Sequence, residues 1–171
     1  KRLSLNYILS SRMPKNTEIK KIKKIALVIH IYFEDLAGFC CTYAKHMPEY
    51  ADIYVTVPTK EKLINVKKAF AELNDRNVEF RVVGNRGRDV APFLVGCKNI
   101  IYKYELICKV HDKKVYQLMP RSVGASWGYK CFENTLKNKI FIENVIKTFE
   151  ENPRLGMLAP PVPNHAHYYP T

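Results

Sequence analysis

A chain of 171 residues with 47% hydrophobic residues is long enough for one domain with a packed core and too apolar for disorder. Its net charge of +12, from 28 basic against 16 acidic residues, calls for an anionic partner: nucleic acid, an anionic membrane surface or a sugar-nucleotide pyrophosphate. No run approaches the ~18–20 apolar residues that span a bilayer, and no secretory h-region is visible, so any membrane contact is expected to be peripheral.

The chain begins at Lys1 rather than Met, which reads as a piece of a longer protein. Residues 1–24 are lysine-rich and end in Lys20-Lys21-Ile22-Lys23-Lys24. They form either a solvated lead-in or a basic patch for phosphates or anionic lipid. Residues 25–171 make up the expected domain. Ile25-Ala26-Leu27-Val28-Ile29-His30-Ile31-Tyr32 is short, apolar and β-branched, as a buried parallel strand is. Leu36, Phe39, Cys40, Tyr43 and Met47 then recur at helical spacing, and Pro48 stops that helix. Ile53–Val57 predicts a second strand. Thr59 suits the cap of a second helix with Leu63, Val66, Phe70 and Leu73 on its apolar face.

After the turn at Asn74–Asn77, Val78–Val83 predicts a third strand. A third helix follows with Phe93, Cys97, Ile100, Ile101 and Tyr104 on one face, then a fourth strand at Leu106–Val110. Residues 115–128 look irregular. A long helix should use Phe132, Leu136, Ile140, Val145, Ile146 and Phe149, and Leu155–Ala159 reads as a fifth strand broken by Pro160-Pro161. Alternating strands and helices predict an α/β fold, a mostly parallel sheet with helices on both faces. Ligands of such sheets bind beyond the carboxyl ends of the strands.

Cys40, Cys41, Cys97, Cys108 and Cys131 show no Cys-x-x-Cys spacing and read as reduced core thiols, which suits a cytoplasmic location.

Two of those strand ends carry chemistry. Gly84-Asn85-Arg86-Gly87-Arg88-Asp89 leads into Val90-Ala91-Pro92. The glycines permit a tight turn, Asp89 is placed to cap the helix, and Pro92 suits its first turn. Free N–H groups at the helix start, with Arg86 and Arg88, would hold a phosphate. Equally, the segment is a tight turn stabilised by an Arg88–Asp89 pair. The fourth strand exits into His111-Asp112-Lys113-Lys114. Asp112 offers a carboxylate to a divalent ion such as Mg²⁺ or Mn²⁺, His111 a ring nitrogen to a hydroxyl or metal, and the lysines charge to a pyrophosphate. An ordinary polar strand end is the alternative. The single tryptophan, Trp127, suits either sugar stacking or core packing. His165-Ala166-His167 reads as a loop. The chain has no Gly-x-Gly-x-x-Gly after the first strand, no Walker A loop and no Gly-x-Ser-x-Gly elbow.

Asn85-Arg86-Gly87-Arg88-Asp89-Val90-Ala91-Pro92-Phe93-Leu94 and Ile107-Cys108-Lys109-Val110-His111-Asp112-Lys113-Lys114 together resemble the rhamnan synthesis protein F family. Ile29–Tyr32, Asp52–Thr56 and Leu155–Pro161 extend the resemblance from about Lys24 onward. The resemblance implies a rhamnosyltransferase-like enzyme of bacterial surface polysaccharide synthesis, with a dTDP-rhamnose donor and a lipid-linked glycan acceptor. It also implies the donor-binding half of a GT-A-like (Rossmann-like) fold. Asn85, Arg86, Gly87, Arg88, Asp89, His111, Lys113 and Lys114 are then the donor- and phosphate-binding residues, and Asp112 the metal ligand. A GT-A enzyme carries Asp-x-Asp where this chain has His111-Asp112-Lys113, so a lysine stands where a second carboxylate is expected. Inverting transfer needs a carboxylate base, which in GT-A enzymes normally lies beyond the donor-binding half; Asp35 and Glu133 come into question here, but no motif supports either, so the resemblance assigns no catalytic residue. Two other readings compete: a non-catalytic module that docks on anionic lipid or a partner enzyme, and a nucleic-acid binder. The dispersed basic residues and the absence of a recognition motif rank nucleic acid last.

Overall fold

The computed structural model describes residues 24–114 and 121–160. Four parallel strands form one sheet: β1 (Ile25–His30), β2 (Asp52–Val57), β3 (Val78–Val82) and β4 (Leu106–His111), in the order β3-β2-β1-β4. The α/β expectation thus holds, and the four strands fall where β-branched runs placed them. β1 is central and buried along its whole length. Its register sets Leu27 beside Ile53 and Cys108, and His30 beside Thr56 and His111.

Because side chains alternate along a strand, β1 feeds two cores. Leu27, Ile29 and Ile31 belong to the larger one, with α1 (Ala37–Ala44), α2 (Lys60–Ala69), the end of α5 (Arg121–Glu133) and α6 (Lys139–Glu151). Ala26 and Val28 belong to the smaller one, with Tyr54, Cys97 and Ile100 under α3 (Val90–Leu94) and α4 (Lys98–Ile101). Helices therefore cover both faces. Thr59 caps α2 by accepting from the Lys62 amide at 3.4 Å. All five cysteines are free thiols, and Cys40, Cys41 and Cys97 lie in these cores.

The third helix is two short ones. Gly96 lies between them where a Cβ would meet Val83 Cγ1 at 2.5 Å and the Pro92 carbonyl at 2.6 Å. That close approach folds α3 onto the end of β3, and a continuous helix is sacrificed to it. The long helix expected around residues 132–149 is also interrupted. Asn134 and Thr135 bond back to the carbonyls of Lys130 and Cys131, closing α5. Asn138 then caps α6 through the Phe141 amide at 2.8 Å. Leu136, fully buried in the gap, plugs the larger core.

Two further expectations fail. Residues 121–128 are helical, not irregular: α5 tolerates Gly124 and Gly128, and Gly128 lets the Lys113 carbonyl approach (3.3 Å from an added Cβ). Leu155–Ala159 forms no strand, because no described segment offers it a ladder, and Met157 is 78% exposed. The basic lead-in up to residue 23 and the His165-Ala166-His167 tail lie outside the described residues.

Candidate functional site

Between β1 and β4 the chain order of the sheet reverses direction, and in open parallel sheets the crevice beyond such a point receives ligands. The carboxyl edge here carries His30 at the end of β1 and Ile31 after it, Thr56 of β2, and His111 at the end of β4 with Asp112 after it. Backbone bonds lace it, Ile31 N to Thr56 O at 2.9 Å and Asp112 N to His30 O at 3.0 Å.

The Gly84–Asp89 segment leaves β3, which β2 and β1 separate from β4. Gly84 and Gly87 both have φ of 71° and Arg88 has φ of 50°. A non-glycine residue in this left-handed region carries strain of roughly 1–2 kcal/mol. The strained turn sends the chain back across the sheet, and α3 packs on β1. Asp89 does not cap α3 with its side chain. Its Oδ2 instead accepts from Lys109 Nζ and lies 3.5 Å from His111 Nδ1. The reason is competition: an ammonium offers a charge-assisted bond, whereas the first α3 amides, Val90 and Ala91, already donate to the Gly87 carbonyl. The pairing of Arg88 with Asp89 is likewise replaced. Burial acts to raise the Asp89 pKa, but the bond from Lys109, the nearby His111 and the charge of Lys109 together hold it below the ordinary carboxylate value.

Asn85, Arg86, Gly87 and Arg88 are exposed, and neither guanidinium bonds to another described residue. With α3 only five residues long and its first amides engaged, the helix start offers little to an anion, and the two arginines are the exposed cations of this loop.

His30 is buried, and its Nδ1 meets Thr56 Oγ1 at 3.0 Å. Burial, with the neighbouring His111, lowers its pKa to about 4. Burial also lowers the His111 pKa, against the pull of Asp89 and with help from Lys109 and Lys113. Both imidazoles are therefore neutral near pH 7.

Asp112 turns away from this cluster. It is 4% exposed, and its Oδ2 accepts from the Phe33 amide at 2.5 Å in the loop after β1. Burial pushes its pKa up to about 6, opposed by the Phe33 and Tyr32 amides. Asp112 thus ties the end of β4 to the loop after β1. Among the described residues no three His, Cys, Asp or Glu side chains gather where they could hold a metal ion. With one oxygen engaged by an amide, Asp112 alone does not compose such a site.

The two lysines that follow diverge. Lys113 places its Nζ 4.9 Å from the Trp127 ring centroid, a cation–π contact that occupies the tryptophan face. Lys114 pairs with Asp35 and lies 5.1 Å from the Phe33 centroid. That bond, rather than burial, holds the exposed Asp35 carboxyl below its usual range. Glu133 accepts from the Tyr43 hydroxyl at 2.5 Å, joining α5 to α1 in the helical layer.

The structure therefore brings Asp89 and His111 together, sets Lys113 and Lys114 on separate partners, and leaves Arg86 and Arg88 exposed. Sequence reasoning missed Lys109, His30 and Thr56. The signal was present: Lys109 and His111 alternate along an otherwise apolar strand, so they share a face. It also missed Tyr32 and Phe33, an edge-to-face pair at 4.9 Å with Lys62 and Lys114 over their rings.

The family model described as rhamnan synthesis protein F matches residues 1–171, the whole chain. No curated protein and no solved structure matches it. No helix among the described residues is long and apolar enough to cross a membrane.

Proposed function

The chain belongs to the rhamnan synthesis protein F family and so to rhamnan synthesis, and from that premise we propose that this domain binds the nucleotide-sugar donor of a rhamnosyl transfer. The donor is a dTDP-sugar, dTDP-rhamnose by the family's chemistry, and the acceptor a lipid-linked glycan at the cytoplasmic membrane face. The carrying observation is the Asp89–Lys109 pair, which anchors the loop of Arg86 and Arg88 across the sheet at the β1–β4 edge. Two unengaged guanidiniums suit a diphosphate, since each offers a planar fork of donors. Lys113, exposed just after β4, adds positive charge to the edge. His111, neutral near pH 7, suits a hydroxyl of the transferred sugar better than a phosphate.

Neither candidate base is free in this chain. Asp35 is exposed at the right edge but paired with Lys114, and Glu133 is bonded to Tyr43. Binding is accordingly the activity assigned to these residues, and transfer to the complete enzyme. Titration calorimetry of the chain with dTDP and dTDP-rhamnose, with and without Mg²⁺ or Mn²⁺, tests this. Metal-independent binding is expected, with the arginines as the clamp. Binding only with metal would give Asp112 a ligand role. No binding of either nucleotide would refute the reading and favour docking on anionic lipid, which vesicle sedimentation would register.

A further inference from the structure

The polar cluster at the end of β4 has an order that simple anion binding leaves unexplained. Lys109 and His111 are two residues apart on one strand and address the same oxygen, Asp89 Oδ2. Lys109 fully engages that oxygen, whereas His111 Nδ1 stands at 3.5 Å. The carboxylate and imidazole side chains are 27% and 36% exposed, so the pair lies at the rim of the edge rather than in the core. On the far side of the ring, Nε2 has no hydrogen-bond partner among the described residues. His30, the register partner of His111, turns its own Nδ1 to Thr56.

A neutral imidazole carries one proton, and a neighbouring carboxylate decides which nitrogen holds it. An ionised carboxylate accepts only, so its charge beside Nδ1 favours the tautomer with the proton on that nitrogen and the lone pair on Nε2. We propose that Asp89 is a positioning residue: steadied by Lys109, it fixes His111 in the Nδ1–H tautomer and leaves Nε2 as an acceptor for a hydroxyl of the bound ligand. An acceptor at this point selects hydroxyl over phosphate, which can only accept when ionised. The cluster thus divides the edge. The arginines meet the anionic part of the ligand, and His111 meets its polyhydroxyl part. The ligand half of this inference rests on the donor-binding reading. The tautomer half does not.

Long-range ¹H–¹⁵N correlation spectra of the whole chain, recorded at mildly alkaline pH, report the tautomer without any ligand. Wild type should show His111 as Nδ1–H. Asp89→Asn presents an amide that can also donate, so the Nε2–H form should become populated. Lys109→Met removes only the steadying ammonium and should retain Nδ1–H, which shows that the effect belongs to the carboxylate and not to general disturbance of the cluster. An Nε2–H wild type, or a tautomer unmoved in Asp89→Asn, overturns the proposal. For the ligand half, His111→Phe, which leaves the Asp89–Lys109 pair and the arginine loop in place, should weaken dTDP-rhamnose about tenfold, one hydrogen bond's worth, while sparing dTDP. An equal loss for both ligands overturns the assignment to a sugar hydroxyl. A wild type that shows the Nδ1–H tautomer but binds neither nucleotide overturns the donor reading and this ligand half with it, and leaves the Asp89–His111 pair standing.

Discussion

Asp112 and His30 are adjacent in the folded edge, since the Asp112 amide donates to the His30 carbonyl at 3.0 Å, yet their ionisations should drive stability in opposite directions. The folded pKa of Asp112 is about 6, raised from 3.8. Between these values the folded state holds more protons than the unfolded one. Its contribution is therefore fully present below the unfolded value and lost as pH rises through about 6. The folded pKa of His30 is about 4, lowered from 6.5. Its contribution is present above 6.5 and lost as pH falls through about 4. At 1.36 kcal/mol per unit each shift amounts to about 3 kcal/mol, so the two nearly cancel over the same window. Urea unfolding of the wild type from about pH 4 to 7 should show little net slope from this pair. Asp112→Asn keeps an oxygen for the Phe33 amide and removes the buried charge. At neutral pH it should gain about 1–3 kcal/mol and become markedly acid-labile, because His30 then acts unopposed. His30→Asn should do the reverse and grow more stable in acid. An Asp112→Asn protein with the wild-type pH profile would refute the reasoning, since it would mean that Asp112 is not held in this buried, amide-bonded state.

Arg88 offers a separation of stability from binding. Arg88→Gly relieves the left-handed backbone and should stabilise the fold by about 1 kcal/mol, whereas Arg88→Ala retains the strain. Both should weaken dTDP-rhamnose by roughly 1.5–3 kcal/mol, the worth of a charge-assisted bond, measured by calorimetry beside thermal unfolding. The glycines make a second contrast. Gly96→Ala places a methyl 2.5 Å from Val83 Cγ1 and 2.6 Å from the Pro92 carbonyl and should cost about 2 kcal/mol or more. Gly38→Ala, in α1 with nothing within 4 Å, should gain about 0.5–1 kcal/mol in the same denaturation assay.

Much of this protein was determined by its sequence alone. The four strands are short runs rich in apolar residues, β-branched above all in β1 and β2, and such composition is local, so their positions are legible without neighbours. The Thr59 cap and the apolar face of α2 are local too. What only the tertiary structure decided depends on which distant segments meet. The order β3-β2-β1-β4 and the register that sets His30 beside His111 come from pairing across dozens of residues. Asp89 looks like a helix cap in sequence because its helix is next to it, but the Lys109 ammonium, twenty residues on, outbids the amides. Asp112 is a carboxylate at a strand end in sequence, and only the fold shows that the loop after β1 supplies the amide that holds its Oδ2. Leu155–Ala159 has the composition of a strand and no partner among the described residues, and composition without a ladder does not make one. Periodicity is a property of a few neighbouring residues, whereas the partner of a charged side chain is the outcome of a competition that only the folded chain holds.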